Sequence, residues 1–412
     1  MIKHVATAAL ICAIQYTSFA HAEEALDPEQ LFKEAMELRN SGQILSAIEV
    51  FETIINQQPG LNRARLELAV AYHQAQRYKD AKDQLTKVLN DTETPETVKL
   101  AVTGYLAQLG SDEKAAAKRT SSSVYVSAGI FNDSNVNLGP NSELPGTTLE
   151  KSGGGIIAMA SFSHVSRASK PFKSGNSLIN FEWNSQLSIY DKSYTSSSES
   201  DFNLQVISLS TGPALVSKDN WSFQLNIKMD RVFFGGNPYS FNLGLNPKLT
   251  LNFDNDLQVF VENLTTVREF DSSGSQGLDG TSKMYGMGAS KFFSGQTIGI
   301  DGGLRYHSNG AENSDLNATG TEVYLGAQMP AWTNARGYIE LSSRQYDYKT
   351  GTPTVRDETE QRFVLGLSHD FKSSMLKSWT LNGQFTHTAN DSNDANFEYN
   401  RDVIEVNLRR YF

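Results

Sequence analysis

The chain has 412 residues, with 36 basic and 46 acidic side chains for a formal net charge of −10, and a single cysteine. The acidic balance argues against nucleic acid as a partner, which calls for basic patches, and one cysteine excludes a disulfide framework or a thiolate metal site. No stretch after the N-terminus offers the eighteen or so consecutive apolar residues of a helical membrane span.

Residues 1–22 read as a secretory signal: Lys3 and His4 start it, Val5 to Ile14 form an apolar stretch, and Ala20-His21-Ala22 is a small-x-small cleavage site. Cys12 lies inside this segment, and Ile11 before it is unlike the small residue of a lipoprotein cleavage site. The expected division is a signal peptide over 1–22, a helical module over 23–118 and a barrel over 119–412.

The helical module is rich in Ala, Leu, Glu and Gln and repeats internally. Ala35, Gly42, Ala47, Phe51, Ile55 and Pro59 sit in one unit, and Ala69, Gln76, Ala81, Leu85 and Leu89 occupy matching positions 34 residues on. Small residues at a helix crossing, with a large apolar residue four positions later, resemble the tetratricopeptide repeat. Gln76 and Glu93 depart from the usual Gly and Pro. Thr94 to Leu109 reads as one more helix, with Thr94 as N-cap and Pro95 at the first helical position. Ser111 to Ser122 reads as a polar link. By repeat position, a concave client-binding surface would include Phe32, Met36, Arg39 and Asn40, then Leu66, Val70, His73 and Gln74, of which Leu66 and Val70 also suit a core.

From Ser122 to Phe412 the pattern changes to period 2. Trp221, Phe223, Leu225, Ile227 and Met229 alternate with Ser222, Gln224, Asn226, Lys228 and Asp230, and a longer run from Phe241 to Asp254 does the same. Pro247 falls on the apolar face of that run, where a missing donor predicts a bulge or a strand end. Fourteen such strands are expected. Tight connections at 217–220, 254–256, 294–296 and 332–334 interleave with long polar ones at 191–201, 270–281, 307–317, 347–358 and 387–396, with one short exception near Gly235-Gly236. That interleaving predicts an all-β transmembrane barrel of 14 antiparallel strands behind an all-α tetratricopeptide-repeat module, apolar outside and polar within. A mean hydropathy of −0.40 is compatible with this, since only alternate strand residues meet lipid. In the last strand Ile404, Val406, Leu408 and Phe412 share a face, interrupted by Arg410, and end on an aromatic. This resembles the assembly signal read by the barrel insertion machinery.

No enzyme chemistry is expected. His307-Ser308-Asn309-Gly310 superficially resembles the outer-membrane phospholipase A motif. That motif places His and Ser two residues apart, whereas adjacent strand residues point to opposite faces. The seven histidines are scattered, no metal site is indicated, and Gly153-Gly154-Gly155 precedes no helix that would hold a phosphate. The acidic run Asp391-Ser392-Asn393-Asp394 reads as solvated surface, and no cofactor is implied.

The barrel opens on Gly129-Ile130-Phe131-Asn132-Asp133-Ser134-Asn135-Val136-Asn137. Together with the order of parts, this stretch resembles the G-Y-D-S-N-V-N motif of the surface lipoprotein assembly modifier family (Slam), the translocon of type XI secretion, with Ile130-Phe131-Asn132 where a single aromatic is usual. The resemblance implies an outer-membrane translocon of a Gram-negative bacterium, its helical module in the periplasm, exporting a client lipoprotein or secreted protein. Asp133, Ser134, Asn135 and Asn137 then form the barrel-start motif, whose residue types also suit plain turn chemistry at a strand end. Two other readings remain. A polysaccharide export porin would usually carry a longer repeat array, and a general diffusion porin needs no docking module.

Overall fold

The computed structural model describes residues 27–141, 149–175, 177–217, 220–253, 256–271, 276–293, 297–350, 355–373 and 375–412. The signal over 1–22 lies outside the described residues. So do 218–219, 254–255 and 294–296 within three tight connections, and 272–275 within a long one. The chain divides into two compact units, one ending at Leu106 and the other running Ala107–Phe412.

The first unit is built on helices α1 (Pro28–Asn40), α2 (Ile44–Gln57), α3 (Asn62–Gln74), α4 (Tyr78–Asn90) and the first half of α5 (Glu96–Ala117), within which the division falls. α3 and α4 begin one repeat period after α1 and α2. Asp27 caps α1 by accepting from the Glu29 amide at 3.2 Å, with Pro28 at the first turn where its missing N–H costs nothing. Ala35, Ala47, Ala69 and Ala81 are fully buried, and Phe51 and Leu85 fill the space beside the close helix crossings. The turns at Gly42 and Gln76, one period apart, both take positive φ, +83° and +58°. Glycine does this freely. Gln76 adopts the same conformation against the steric cost of its Cβ, about 1–2 kcal/mol.

The polar stretch after Ser111 takes helical form: α5 continues to Ala117 and the first strand begins at Thr120. Glu113-Lys114-Ala115-Ala116-Ala117 are strong helix formers, so the chain here continues the helix. Thr94 also differs from a simple N-cap. Its hydroxyl accepts from Asn62 Nδ2 at 3.0 Å, and the same amide donates to Asp91 Oδ2 at 2.6 Å. Thr94 thus ties the start of α3 to the α4–α5 turn.

The second unit contains fifteen strands among the described residues, numbered in chain order: β1 (Thr120–Asp133), β2 (Gly153–Arg167), β3 (Phe172–Ser174), β4 (Ser177–Tyr194) and so on to β15 (Tyr399–Tyr411). β3 is a three-residue arm folded back on β4. The other fourteen pair antiparallel in sequence order, β2 reaching β4 beside the arm, and β15 pairs with β1. The result is a closed 14-strand antiparallel barrel. At the closure Tyr125 faces Tyr411 and Asp133 faces Val403, and Val124 and Phe412 exchange both backbone hydrogen bonds at 3.1 and 2.8 Å.

One barrel end carries the tight turns, the start of β1 and the end of β15. The other carries the long loops, except for a two-residue hairpin at Gly235 (φ +56°) and Gly236 (φ +79°), whose left-handed backbone suits the strand twist. The wall is inverted relative to a water-soluble sheet. Ile130, Ile156, Leu304, Val323 and Ile404 are each more than half exposed on the outer face. The opposite face of the wall carries charges paired across neighbouring strands: Arg305 with Glu322 at 2.8 Å, Arg344 with Glu360 at 2.5 Å and Arg362 with Glu340 at 3.0 Å. An apolar belt outside and a polar lining inside is the partition of a transmembrane barrel.

Pro247 makes neither bulge nor end. It lies within a continuous strand, Asn237–Phe253, opposite Leu225 with the register intact. Its missing N–H leaves the facing Asn263 carbonyl open on the other side, and the Asn246 side chain supplies the replacement, Nδ2 to Asn263 O at 2.6 Å.

Candidate functional site

The helical unit presents two faces of different character. On α1, Phe32 packs edge-on against Phe51 at 5.8 Å and lies under the Arg63 guanidinium at 4.6 Å. Arg39 is ion-paired with Glu67 of α3. On α3, Leu66 and Val70 line an apolar cleft of about 280 Å³ with Leu85, Val98, Ala101, Val102 and Tyr105. His73 Nδ1 lies 2.8 Å from the Tyr105 hydroxyl. Of the eight residues expected on a binding surface, Leu66, Val70 and His73 therefore meet α5. Met36 is half-buried, while Asn40 and Gln74, one period apart, are exposed. Elsewhere in this unit, burial and the adjacent Glu52 carboxylate push the Tyr72 phenol up from its ordinary range.

The barrel-start residues gather at the loop end of β1. Asp133 is completely buried and accepts five hydrogen bonds: from Arg401 Nε (2.9 Å) and Nη2 (2.6 Å), Lys192 Nζ (2.9 Å), the Tyr194 hydroxyl (3.0 Å) and the Asn135 amide (3.2 Å). Beside it Phe131 and Tyr194 meet edge to face at 5.1 Å, with Lys192 Nζ 4.4 Å from the Phe131 ring centre. Asn135, also fully buried, donates to the Gly139 and Asn400 carbonyls at 2.9 and 3.0 Å and accepts from the Gly139 amide at 2.8 Å. Ser134 accepts from the Asp402 amide at 2.8 Å, and Asn137 bridges Leu149 O and the Lys151 amide at 3.0 and 2.8 Å. Gly155 belongs to the same packing, since a Cβ there would stand 2.0 Å from Ser193 O and 2.9 Å from the Phe131 ring. Sequence reasoning missed Lys192, Tyr194 and Arg401, which lie 59, 61 and 268 residues from Asp133.

In β15, Ile404 and Val406 face outward, and Phe412 is exposed at the turn end. Leu408, half-buried, pairs with Ala128. Arg410 does not stand alone on that face: its guanidinium lies 4.4 Å from the Phe412 ring centre and 5.7 Å from that of Trp379. The His307 imidazole contacts Glu322 at 2.9 Å on the polar lining, and alternation sends Ser308 to the other face. Asn393 of the acidic run spans to a neighbouring loop, accepting from the Asp357 amide at 3.0 Å and donating to Val355 O at 2.8 Å.

Residues 38–101 match the family model described as Tetratricopeptide repeat. No curated protein sequence matches the chain. Among solved structures, the chain is similar to the Acinetobacter baumannii protein OccAB4 (10% identity, 72% of this chain and 99% of that chain, TM-score 0.37). It is also similar to the outer membrane channel DcaP of Acinetobacter baumannii (11%, 71% and 97%, 0.40) and to a Pseudomonas aeruginosa FadL homologue (10%, 72% and 91%, 0.39). At these values no activity passes from those proteins to this one.

Proposed function

We propose that this protein is an outer-membrane translocon of the Slam kind, which exports or displays a specific client lipoprotein or secreted protein. One observation carries the reading: a tetratricopeptide unit precedes, in a single chain, a barrel that opens on a Slam-like Asp-Ser-Asn-Val-Asn motif. A passive pore needs no protein-binding platform, whereas a translocon does. The tight-turn end of the barrel, where β1 begins and β15 ends, faces the periplasm in this reading, with the helical unit on that side. Tethering holds the captured client near the barrel at an effective concentration of about millimolar. Outer-membrane lipids surround the apolar belt, and the insertion machinery reads the end of β15.

Asn40 and Gln74, exposed and one repeat apart, are the positions at which to test client contact, because Arg39 and His73 are engaged within the unit. A double Asn40→Glu/Gln74→Glu variant should retain a folded barrel and lose client export, measured by antibody labelling of the client on intact cells. Deleting residues 27–106 should do the same more completely. Full export after that deletion would overturn the translocon reading in favour of a pore with an accessory domain. Loss of surface polysaccharide instead of a protein would favour the polysaccharide porin.

A further inference from the structure

The structure assigns the Asp133–Asn137 motif a role that no cargo contact requires: we infer that it is the clasp that closes the barrel. A closed barrel of fourteen strands has one junction, β1 with β15, whose strands no loop connects. Every other neighbouring pair is held by chain continuity at one end, so the entropic cost of bringing the edges together is already met there. At the β1–β15 seam it is not, and the ladder has to be supplemented by side chains.

That is where the motif's bonds go. Arg401 of β15 grips both carboxylate oxygens of Asp133, a bidentate charge-assisted pair that fixes geometry as well as adding strength. Asn135 Nδ2 reaches the Asn400 carbonyl, Ser134 exchanges hydrogen bonds with Asp402, and Asn141 exchanges two more with Glu398 and Asn400. Lys192 and Tyr194 hold the same carboxylate from β4, on the far side of β2, so that three strands converge on one buried acid. By contrast, Arg305 with Glu322 and Arg344 with Glu360 each join two neighbouring strands. The five donors leave Asp133 satisfied and inaccessible, which suits a fastening and not a ligand site.

The seam's loop-end half therefore depends on the Asp133 charge. Hydrogen–deuterium exchange on the full-length protein in detergent micelles tests this. Asp133→Asn keeps the shape but halves the charge-assisted bonding, and should accelerate exchange in the peptides covering 126–134 and 402–410 by about tenfold or more. The other strand pairs should be unchanged, as should an Arg344→Gln control. Ile130 and Val406 are register partners on the seam, so a disulfide from Ile130→Cys/Val406→Cys should restore protection in the Asp133→Asn background. If Asp133→Asn does not assemble, the same disulfide should rescue its assembly, read as the heat-dependent band shift of the folded barrel. Unchanged exchange at the seam, acceleration spread evenly round the wall, or failure of the disulfide to rescue either readout would overturn the assignment.

Discussion

The helical unit and the barrel handle apolar residues in opposite ways. In the first, Phe51, Ile54, Leu68 and Leu85 are sealed inside, and a 34-residue period brings them together from neighbouring helices. In the second, residues of the same kind, Leu304, Val323, Leu325 and Ile404, stand on the outside, while the interior is lined by paired charges. The difference lies in what holds each shape. Close packing of volumes holds the helices, so lost volume is costly there. A closed hydrogen-bond ladder in lipid holds the barrel, so its outer face tolerates changes of volume but not of charge.

That contrast predicts the largest effect in the helical core. Phe51→Ala should destabilise the helical unit by about 3–5 kcal/mol, seen as proteolysis within residues 27–106 at temperatures where the parent resists. The heat-dependent band shift of the barrel should not move. Leu304→Ala, which removes a comparable side chain from the outer wall, should leave both readouts unchanged. Equal sensitivity at the two positions would break the comparison.

Much of this architecture is legible in the sequence because its signals are local. The repeat period appears in Ala47 and Ala81, and strand alternation in Trp221 to Met229 marks the wall without any partner being known. Most of the misses depend on pairings that the local pattern does not show. The compensation of Pro247 needs Asn246 to meet Asn263, and the arm Phe172–Ser174 exists only against β4. The Asp133 hub is the extreme case. Its motif is visible as turn-forming residues, but no spacing announces that Arg401 is the residue of β15 that meets Asp133 when the barrel closes. The length of α5 was hidden differently, because polarity is shared by linkers and exposed helices.

The outer wall supplies the next largest effect. Leu304 lies in the middle of the strand Ile298–Asn309 and is 54% exposed. Leu304→Arg should cost about 2–4 kcal/mol if that position sits near the bilayer midplane, measured by urea unfolding of the barrel in lipid vesicles. A similar charge is tolerated at Arg410, where Phe412 and Trp379 flank the guanidinium. If Leu304→Arg is neutral, the exposed face is not the lipid face.

A smaller gain should come from the turn where the two repeats differ. Gly42 and Gln76 share a left-handed backbone, yet only one is glycine. Gln76→Gly should stabilise the helical unit by about 1 kcal/mol, whereas Gly42→Gln should cost a similar amount. Both are measured by thermal unfolding followed by circular dichroism. An asymmetric outcome would show that Gln76 contributes contacts that its conformation alone does not reveal.

The smallest expected effect is a pH dependence confined to the helical unit. The Asp91 carboxyl is held below its ordinary range, first by the Glu93 amide and then by Asn62 Nδ2. A carboxyl whose pKa is lower folded than unfolded contributes stability that is present above the unfolded pKa and fades as pH falls through the folded one. The contribution should therefore be constant from neutrality down to about pH 4, the ordinary range of an aspartate, and decline below it. Asp91 is well solvated, so the decline should be slight. Asp91→Asn should flatten it, because the amide no longer titrates while Asn62 retains Thr94 as an acceptor. Thermal unfolding of the helical unit across that range, parent against variant, isolates the difference. An identical acid slope in the two proteins would mean that other carboxylates set it, and that the tie between α3 and the α4–α5 turn is not sensitive to charge.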